Sequence, residues 1–104
     1  MSKLRTIIRK VDSNHTEIIK RLRKHSGLSV LDTHNLGRGA PDCVVFKLYG
    51  NRSRGVCFEL KSSWKELQTP AENKWELGHP NLEYHVVYDY EQICKIMGVE
   101  PRKE

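Results

Sequence analysis

Residues 41–61 of the sequence read PDCVVFKLYGNRSRGVCFELK. Two runs in this stretch, Asp42–Tyr49 and Val56–Lys61, are rich in the branched and aromatic side chains that favour β-strands. The segment between them, GNRSRG, is bounded by glycines and is typical of a turn. The stretch therefore predicts a β-hairpin, around which the rest of the chain can be interpreted.

One end of this hairpin gathers charged side chains. Side chains alternate between the two faces of a strand, so Cys57, Glu59 and Lys61 share one face. With a turn near residue 52, Asp42 is expected about opposite Lys61 and one diagonal step from Glu59. Two carboxylates this close repel each other unless a cation lies between them, and Mg²⁺ or Mn²⁺ prefers such oxygen ligands. A metal of this kind beside a lysine suits phosphodiester hydrolysis.

The segment before the hairpin predicts a helix and a strand. Within the helical pattern of Asp12–His25, Asn14 and Glu17 have the spacing of a capping box, and an apolar stripe follows. Glu17 has a purely structural alternative, because it can close this cap and pair with Arg21 one turn later. Residues Leu28–Thr33 then predict a short strand.

The segment after the hairpin predicts a helix, a strand and a closing helix. Residues 69–72, TPAE, supply an N-cap, a proline at the first helical position and a capping carboxylate, so a helix is expected to about Leu77. Glu83–Tyr88 has a strand pattern, and Glu91–Met97 is a short helix followed by glycine. The predicted order of elements is therefore α-β-β-β-α-β-α.

The chain as a whole predicts one small α/β domain of the α+β type. Its 104 residues include 18 Lys+Arg and 13 Asp+Glu, a net charge of +5, which favours an anionic partner such as nucleic acid. We expect a core over about residues 12–98, a basic N-terminal arm over 1–11 and a frayed C-terminal tail over 99–104. No apolar run approaches the roughly 20 residues of a membrane span, and no export signal is recognisable. We therefore expect a cytoplasmic protein of a bacterial or virus-infected cell, with no membrane partner.

The cysteine and histidine patterns argue against several kinds of site. Cys43, Cys57 and Cys94 are widely spaced and form no C-x-x-C pair, so neither a disulfide framework nor a zinc knuckle is predicted. The five histidines show no H-x-x-x-H or H-N-H-like pattern. We therefore expect no histidine chemistry, and no organic cofactor.

The order of elements and two short motifs resemble a known group of nucleases. Pro41-Asp42 heads one predicted strand and Glu59-Leu60-Lys61 ends the next, an arrangement that resembles the PD-(D/E)XK nuclease superfamily. The segments GRGAPDCVVF, ELKSS, TPAE and YHVVYD look most like its small stand-alone VRR-NUC type, over roughly Thr16–Met97. The resemblance implies a single-domain, restriction-endonuclease-like αβββαβ core in which helices flank a central mixed sheet.

The resemblance also implies a role for each residue that matches the family motif. Asp42 and Glu59 would be the main metal ligands, and the backbone carbonyl of Leu60 is a further candidate ligand. Lys61 would position the attacking water. Glu17, on the first helix, would bind the metal directly or through water.

The sequence departs from the family pattern at one position. Where the family commonly has a glutamine four residues into the helix after the E-x-K strand, this chain has Glu72, with Gln68 just before the helix. Either side chain would orient the lysine or a phosphate, and the sequence leaves open which one does so. Capping of the helix is the structural alternative for Glu72.

Basic side chains supply the expected contacts with nucleic acid. Arg38 lies in the loop NLGRGAP just before Asp42, where the glycines allow a phosphate backbone to approach closely. The other candidate DNA-binding residues are Lys20, Lys24 and Lys65. For the lysines, a solvated charged surface is the structural alternative.

The expected function is that of a metal-dependent DNA endonuclease, which hydrolyses phosphodiester bonds with Mg²⁺ or Mn²⁺. The resemblance also implies a homodimer that cleaves branched DNA or Holliday junctions. Two alternatives remain open at this point. One is a non-catalytic nucleic-acid-binding module, which would bind DNA equally well in EDTA and never cut it, and the other is a nuclease subunit that is active only with a partner.

Overall fold

A computed structural model describes residues 14–103 and confirms the predicted order of elements. The arm at residues 1–11 and the first two residues of the predicted helix, 12 and 13, lie outside the described residues. The helices and strands are α1 (His15–Lys24), β1 (Ser29–Asp32), β2 (Cys43–Tyr49), β3 (Arg52–Leu60), α2 (Pro70–Leu77), β4 (Glu83–Val87) and α3 (Tyr90–Met97), with a short 3-10 helix at His34–Leu36.

The four strands form one mixed sheet in the order β1-β2-β3-β4. Strand β2 is antiparallel to both β1 and β3, whereas β4 runs parallel to β3. A parallel neighbour requires a crossover connection, and here α2 lies within it. The mixed sheet that the resemblance implies is therefore present.

The register of the β2–β3 hairpin differs from the predicted one. Tyr49 pairs with Arg52, so the turn is only Gly50-Asn51, and Gly50 has the positive φ of 63° that two-residue hairpin turns favour at a glycine. Because β3 begins four residues earlier than predicted, Cys43 pairs with Phe58. One further residue along this register places Asp42 beside Glu59, and its predicted position opposite Lys61 is wrong.

Both faces of β3 are buried from Val56 to the end of the strand. Val56 and Phe58 are completely inaccessible and belong to the apolar core that α1 and α3 complete. On the opposite face, Glu59 and Lys61 retain only 4% and 7% of their exposure. This burial excludes a solvated surface pair. Charged side chains buried to this degree are uncommon unless they are paired or bind an ion.

The start of α1 shows a second departure from the predicted structure. Asn14 precedes the helix but makes no side-chain cap hydrogen bond, so the predicted capping box with Glu17 is absent. The Asn14 side-chain amide instead donates to the carbonyl oxygens of Tyr88 at 3.0 Å and Lys61 at 3.5 Å. Asn14 thus ties the start of α1 to the ends of β3 and β4.

The chain after α3, where a frayed tail is predicted over 99–104, makes hydrogen bonds as far as Arg102. The backbone N–H of Arg102 donates to the Tyr90 hydroxyl at 3.0 Å, and its carbonyl accepts from the Arg21 guanidinium at 3.1 Å. The His25 ring lies at hydrogen-bond distance, 2.9 Å, from the carbonyl of Glu100. Within residues 14–103, none of the helices is long and apolar enough to cross a bilayer.

Candidate active site

Asp42, Glu59, Lys61 and Glu72 come together at one end of the sheet. Asp42 immediately precedes β2, and its Oδ2 accepts a hydrogen bond of 2.7 Å from the backbone N–H of Leu60. Lys61 follows β3 directly, and its backbone N–H donates to the carbonyl of Val87 at 2.9 Å. The sheet itself therefore fixes the backbone at these positions.

The ammonium group of Lys61 lies between two carboxylates. Its Nζ is 3.0 Å from Oε1 of Glu72 and 3.7 Å from Oε2 of Glu59. Burial disfavours the charged lysine, but the hydrogen bond and charge of Glu72, together with the charge of Glu59, raise the pKa of Lys61 above its ordinary value. Lys61 is accordingly an ammonium ion, a hydrogen-bond donor, at neutral pH.

The cap of α2 positions Glu72. The Glu72 backbone N–H donates to the Thr69 hydroxyl at 3.2 Å, and Oε1 of Glu72 accepts from the Thr69 backbone N–H at 2.8 Å. The predicted capping box is therefore confirmed, and the carboxylate oxygen that closes it also accepts from Lys61. Burial opposes ionisation of Glu72, but the hydrogen bonds from Thr69 and Lys61 leave its pKa lowered.

Gln68 occupies a different position from Glu72. Its side-chain amide donates to Oε1 of Glu76 at 3.0 Å, within the region around α2. Glu72, rather than Gln68, makes the contact with Lys61. Of the two candidates that the sequence left open, the capping glutamate is therefore the one in contact with the lysine.

Replacing each of these two side chains is expected to have different consequences for any activity that depends on Lys61. Glu72→Ala removes the oxygen that holds Nζ and is expected to slow cleavage by about 10- to 100-fold, whereas Gln68→Ala is expected to leave it within about threefold of wild type. Glu72→Gln keeps an oxygen that can accept from Lys61, so it is expected to restore most of the rate. If that activity is the DNA cleavage expected from the sequence, single-turnover kinetics measure all three. Equal losses from Glu72→Ala and Gln68→Ala would contradict this assignment.

Glu59 carries the strongest electrostatic perturbation of the group. Burial, the neighbouring Asp42 carboxylate and a hydrogen bond to Glu72 that only the protonated acid can donate raise the pKa of Glu59 to about 10. Within residues 14–103, Oε1 of Glu59 is buried and has no hydrogen-bond partner. An orphaned carboxyl oxygen among other carboxylates is a position that a hard cation such as Mg²⁺ or Mn²⁺ fits.

The raised pKa of Glu59 predicts an unusual pH dependence for the metal-free protein. Between the ordinary value of 4.5 and about 10, folded Glu59 holds a proton that unfolded Glu59 has lost, so the free energy of unfolding falls as pH rises. This contribution has an upper limit of about 1.4 kcal/mol per pH unit. Thermal unfolding in EDTA across this range is expected to show a steeper fall for wild type than for Glu59→Gln. Parallel curves for the two proteins would contradict the assignment.

The structure does not bring Glu17 into this group. Glu17 is exposed on α1, about 200° around the helix from His15 at 100° per residue. His15 is the α1 side chain that faces the site, and its Nδ1 lies 3.9 Å from Oδ1 of Asp42. The predicted role of Glu17 as a metal ligand is therefore not supported by its position.

The loop before Asp42 packs closely against the start of α2. Gly39 has a φ of 82°, and a Cβ there would lie 2.2 Å from the carbonyl oxygen of Ala71, so only glycine fits. Arg38, beside it, is exposed and has a positive φ of 57°. This contact places the Arg38 backbone next to the helix that carries Glu72.

The predicted DNA-binding lysines lie in two regions. Lys20 and Lys24 line a cavity of about 460 Å³ beside α1, together with Arg23. Lys65 is exposed in the loop after β3, with Nζ 5.7 Å from the centre of the Trp64 ring. Two of the three lysines are thus on one surface.

Sequence reasoning missed three residues next to this site. His15, Asp32 and His34 lie close enough for one ligand atom of each to be within 4.8 Å of the others. The sequence has no motif that gathers histidines, whereas the fold brings these two together. They come from α1, from the end of β1 and from the 3-10 helix. No local spacing connects these elements, so a motif search could not have found them.

The group formed by Asp42, Glu59, Lys61 and Glu72 has three properties that matter for chemistry: neighbouring carboxyl groups, an ammonium donor held beside them and an orphaned oxygen. Such a group can hold a divalent cation and can donate a hydrogen bond to an anionic ligand. Comparison of the chain with models of protein families, with curated proteins and with solved structures finds no match in any of the three.

Proposed function

We propose that the protein is a metal-dependent DNA endonuclease of the PD-(D/E)XK type, which hydrolyses phosphodiester bonds with Mg²⁺ or Mn²⁺. The observation that supports this most strongly is the orphaned Glu59 oxygen. It lies beside the half-buried Asp42 carboxylate and the buried Lys61 ammonium. The αβββαβ order and the mixed sheet are consistent with the restriction-endonuclease-like core that the sequence resembles.

In this proposal Asp42 and Glu59 would hold the cation, with the Leu60 carbonyl as a further candidate ligand. When bound, Mg²⁺ or Mn²⁺ polarises a phosphoryl oxygen and makes water more acidic. The hydrogen bond from Leu60 N–H to Oδ2 of Asp42 fixes the orientation of that carboxylate. Ionised Glu59 requires compensation by positive charge, which accounts for a carboxylic acid at this depth in the protein.

Lys61 would act as a donor rather than as a base. Its raised pKa keeps the proton on Nζ, so it can donate to the attacking water or to the negative charge that develops on the phosphate. Glu72 is a positioning residue, since it holds Nζ at 3.0 Å. Because Glu72 both closes the cap of α2 and accepts a hydrogen bond from Lys61, the position of the lysine Nζ depends on an intact helix start.

DNA is the proposed substrate because the chain carries a net charge of +5 and places basic side chains beside the site. Lys20, Arg23 and Lys24 line the cavity next to α1, and Arg38 lies in the loop that leads to Asp42. Phosphate contacts of this type favour any duplex and depend strongly on salt. Cleavage of branched DNA by a homodimer, with one active site for each strand, is the more specific form of the proposal.

The proposal is tested by incubating the purified protein with labelled linear duplex, flap and four-way-junction DNA in Mg²⁺, in Mn²⁺ or in EDTA. We expect cutting with either metal and none in EDTA, and the preferred substrate would identify the specificity. Salt-sensitive binding in EDTA without cutting in either metal would instead favour the non-catalytic module. Cutting that appears only after a cell extract is added would favour the partner-dependent subunit.

A further inference from the structure

A cluster of two histidines and one aspartate lies next to the carboxylate site but does not belong to it. Oδ1 of Asp32 is 2.6 Å from Nδ1 of His34 and 3.6 Å from Nε2 of His15. Asp32 ends β1, and the backbone N–H of His34 also donates to its Oδ1 at 3.2 Å. The end of a strand and the turn after it therefore hold two of the three groups together.

His15 is the most informative member of the cluster. The residue is only 4% exposed, and within residues 14–103 its Nε2 is buried without a hydrogen-bond partner. A buried nitrogen without a partner is costly and therefore uncommon. Because Nε2 points toward Asp32 and His34, an ion bound there would supply the missing partner.

The geometry points to a binding site for a divalent transition-metal ion, of the Zn²⁺ or Co²⁺ class, formed by His15, Asp32 and His34. Imidazole nitrogens and a carboxylate suit such ions, with bonds of about 2.0–2.2 Å. Two atoms on one tetrahedral ion are then roughly 3.3–3.6 Å apart. The distance of 3.6 Å between His15 Nε2 and Asp32 Oδ1 matches that spacing. The 2.6 Å contact between His34 Nδ1 and Asp32 Oδ1 is shorter, and the ligand atoms of the three residues lie within 4.8 Å of one another, so the side chains must rotate to receive the ion. The ion would take the place of the direct contact of 2.6 Å between His34 Nδ1 and Asp32 Oδ1.

The His15 ring lies between this cluster and the Asp42–Glu59 pair, and each of its two nitrogens faces a different one of them. Nε2 faces Asp32, whereas Nδ1 lies 3.9 Å from Oδ1 of Asp42. A metal-bound histidine commonly directs its second nitrogen toward a carboxylate, which orients the ring. Asp42 is therefore placed to orient His15 as well as to serve in the neighbouring carboxylate group.

The cavity beside the cluster indicates what else the ion could bind. Three protein ligands leave a tetrahedral ion with an open position, and the cavity of about 460 Å³ is lined by all three cluster residues. Lys20, Arg23 and Lys24 line the same cavity, so an anionic oxygen is the matching external ligand. That this oxygen belongs to a DNA phosphate rests on the proposed function, whereas metal binding itself does not.

The test is titration of the metal-free protein with Co²⁺ alone, because bound Co²⁺ with nitrogen ligands in a low-coordinate site absorbs visible light strongly. We expect one strongly absorbing Co²⁺ per chain, and a loss of affinity of about a hundredfold or more in His34→Ala. His79→Ala is the matched control, since this exposed histidine bonds only locally, to the Trp75 carbonyl. Glu59→Gln is expected to keep the absorption, because it alters the other site.

Two results would overturn this inference: no visible absorption with wild type, or equal affinity in wild type and His34→Ala. Asp32→Asn is the second variant if His34→Ala does not fold, as judged by circular dichroism, and it too is expected to lose the absorption. Failure here and failure of the proposed function are distinguishable. Mg²⁺-dependent DNA cutting without Co²⁺ absorption would leave the nuclease proposal in place, whereas Co²⁺ absorption without cutting would leave only the metal site.

Discussion

Glu59→Gln is expected to abolish metal-dependent DNA cleavage while making the metal-free protein more stable. The amide cannot supply the negative charge that a divalent cation requires, so the rate is expected to fall by about a thousandfold or more, roughly 4 kcal/mol in the activation barrier. The same substitution removes a carboxyl group whose pKa is raised to about 10 by burial and by the Asp42 and Glu72 carboxylates. Between pH 4.5 and about 10, folding of the wild type requires this carboxyl group to take up a proton, and the amide of the variant has no such cost.

Both halves of this prediction can be measured on one preparation. Single-turnover cleavage of labelled DNA reports the rate, and thermal unfolding in EDTA at alkaline pH reports the stability, where each kcal/mol corresponds to about 4–8 °C in Tm for a domain of this size. A gain in Tm together with the loss of cleavage is expected. If Glu59→Gln loses cleavage but is also less stable than wild type, the result would indicate that Glu59 has only a structural role.

Lys61→Met is expected to reduce cleavage by about 100- to 10,000-fold without abolishing DNA binding. Methionine preserves much of the buried length of the side chain but lacks the ammonium that Glu72 holds at 3.0 Å. The variant leaves Glu59 and Glu72 without the positive charge between them, so some loss of stability is also expected. Binding persists because the phosphate contacts of the exposed basic residues are unchanged.

Lys95→Met is the matched control for this substitution, because Lys95 is exposed on α3 and belongs to neither proposed site. Its cleavage rate is expected to stay within about twofold of wild type. Filter binding in EDTA gives the DNA affinity of each variant, and circular dichroism confirms that each is folded. If Lys61→Met cuts DNA as fast as Lys95→Met, the proposed role of the lysine is wrong.

Much of the fold was predictable because local signals agreed with it. The TPAE segment specifies its own cap, and the Thr69–Glu72 capping box forms as predicted. The branched runs on either side of Gly50 form the hairpin, and a parallel fourth strand follows the α2 crossover. Asp42, Glu59 and Lys61 were predicted to converge, since strand periodicity alone limits where they can point.

The features that were not predictable depend on geometry between distant segments. The hairpin register depends on whether GNRSRG forms a long loop or the two-residue turn Gly50-Asn51. The structure has the two-residue turn, and this shifts the strand partner of Asp42 by two positions from the predicted one. The capping box expected at Asn14 does not form, because the Asn14 side chain instead donates hydrogen bonds to the carbonyls of Tyr88 and Lys61 in distant segments. The spacing of Glu17 gave no sign that its side of the helix faces away from the sheet.

The histidine–aspartate cluster is the clearest example of a feature that depends on contacts between distant segments. His15 lies on a helix, Asp32 on a strand and His34 in a turn, so the distances among them exist only after α1 has packed on β1. The sequence contains one indirect signal, a histidine on the apolar stripe of a helix. Such a residue is more commonly a satisfied core side chain, and only the orphaned Nε2 distinguishes it.

The central claim is that Asp42 and Glu59 hold a divalent cation that DNA cleavage requires. The most direct measurement is cleavage of a labelled four-way junction and a linear duplex by wild type and by Asp42→Asn, each in Mg²⁺ and in EDTA. Asparagine keeps an oxygen that can accept from Leu60 N–H, so the fold around β2 is expected to persist. We predict cutting by wild type in Mg²⁺ alone and none by Asp42→Asn. Intact DNA in every wild-type reaction, or equal cutting by Asp42→Asn, would contradict the account.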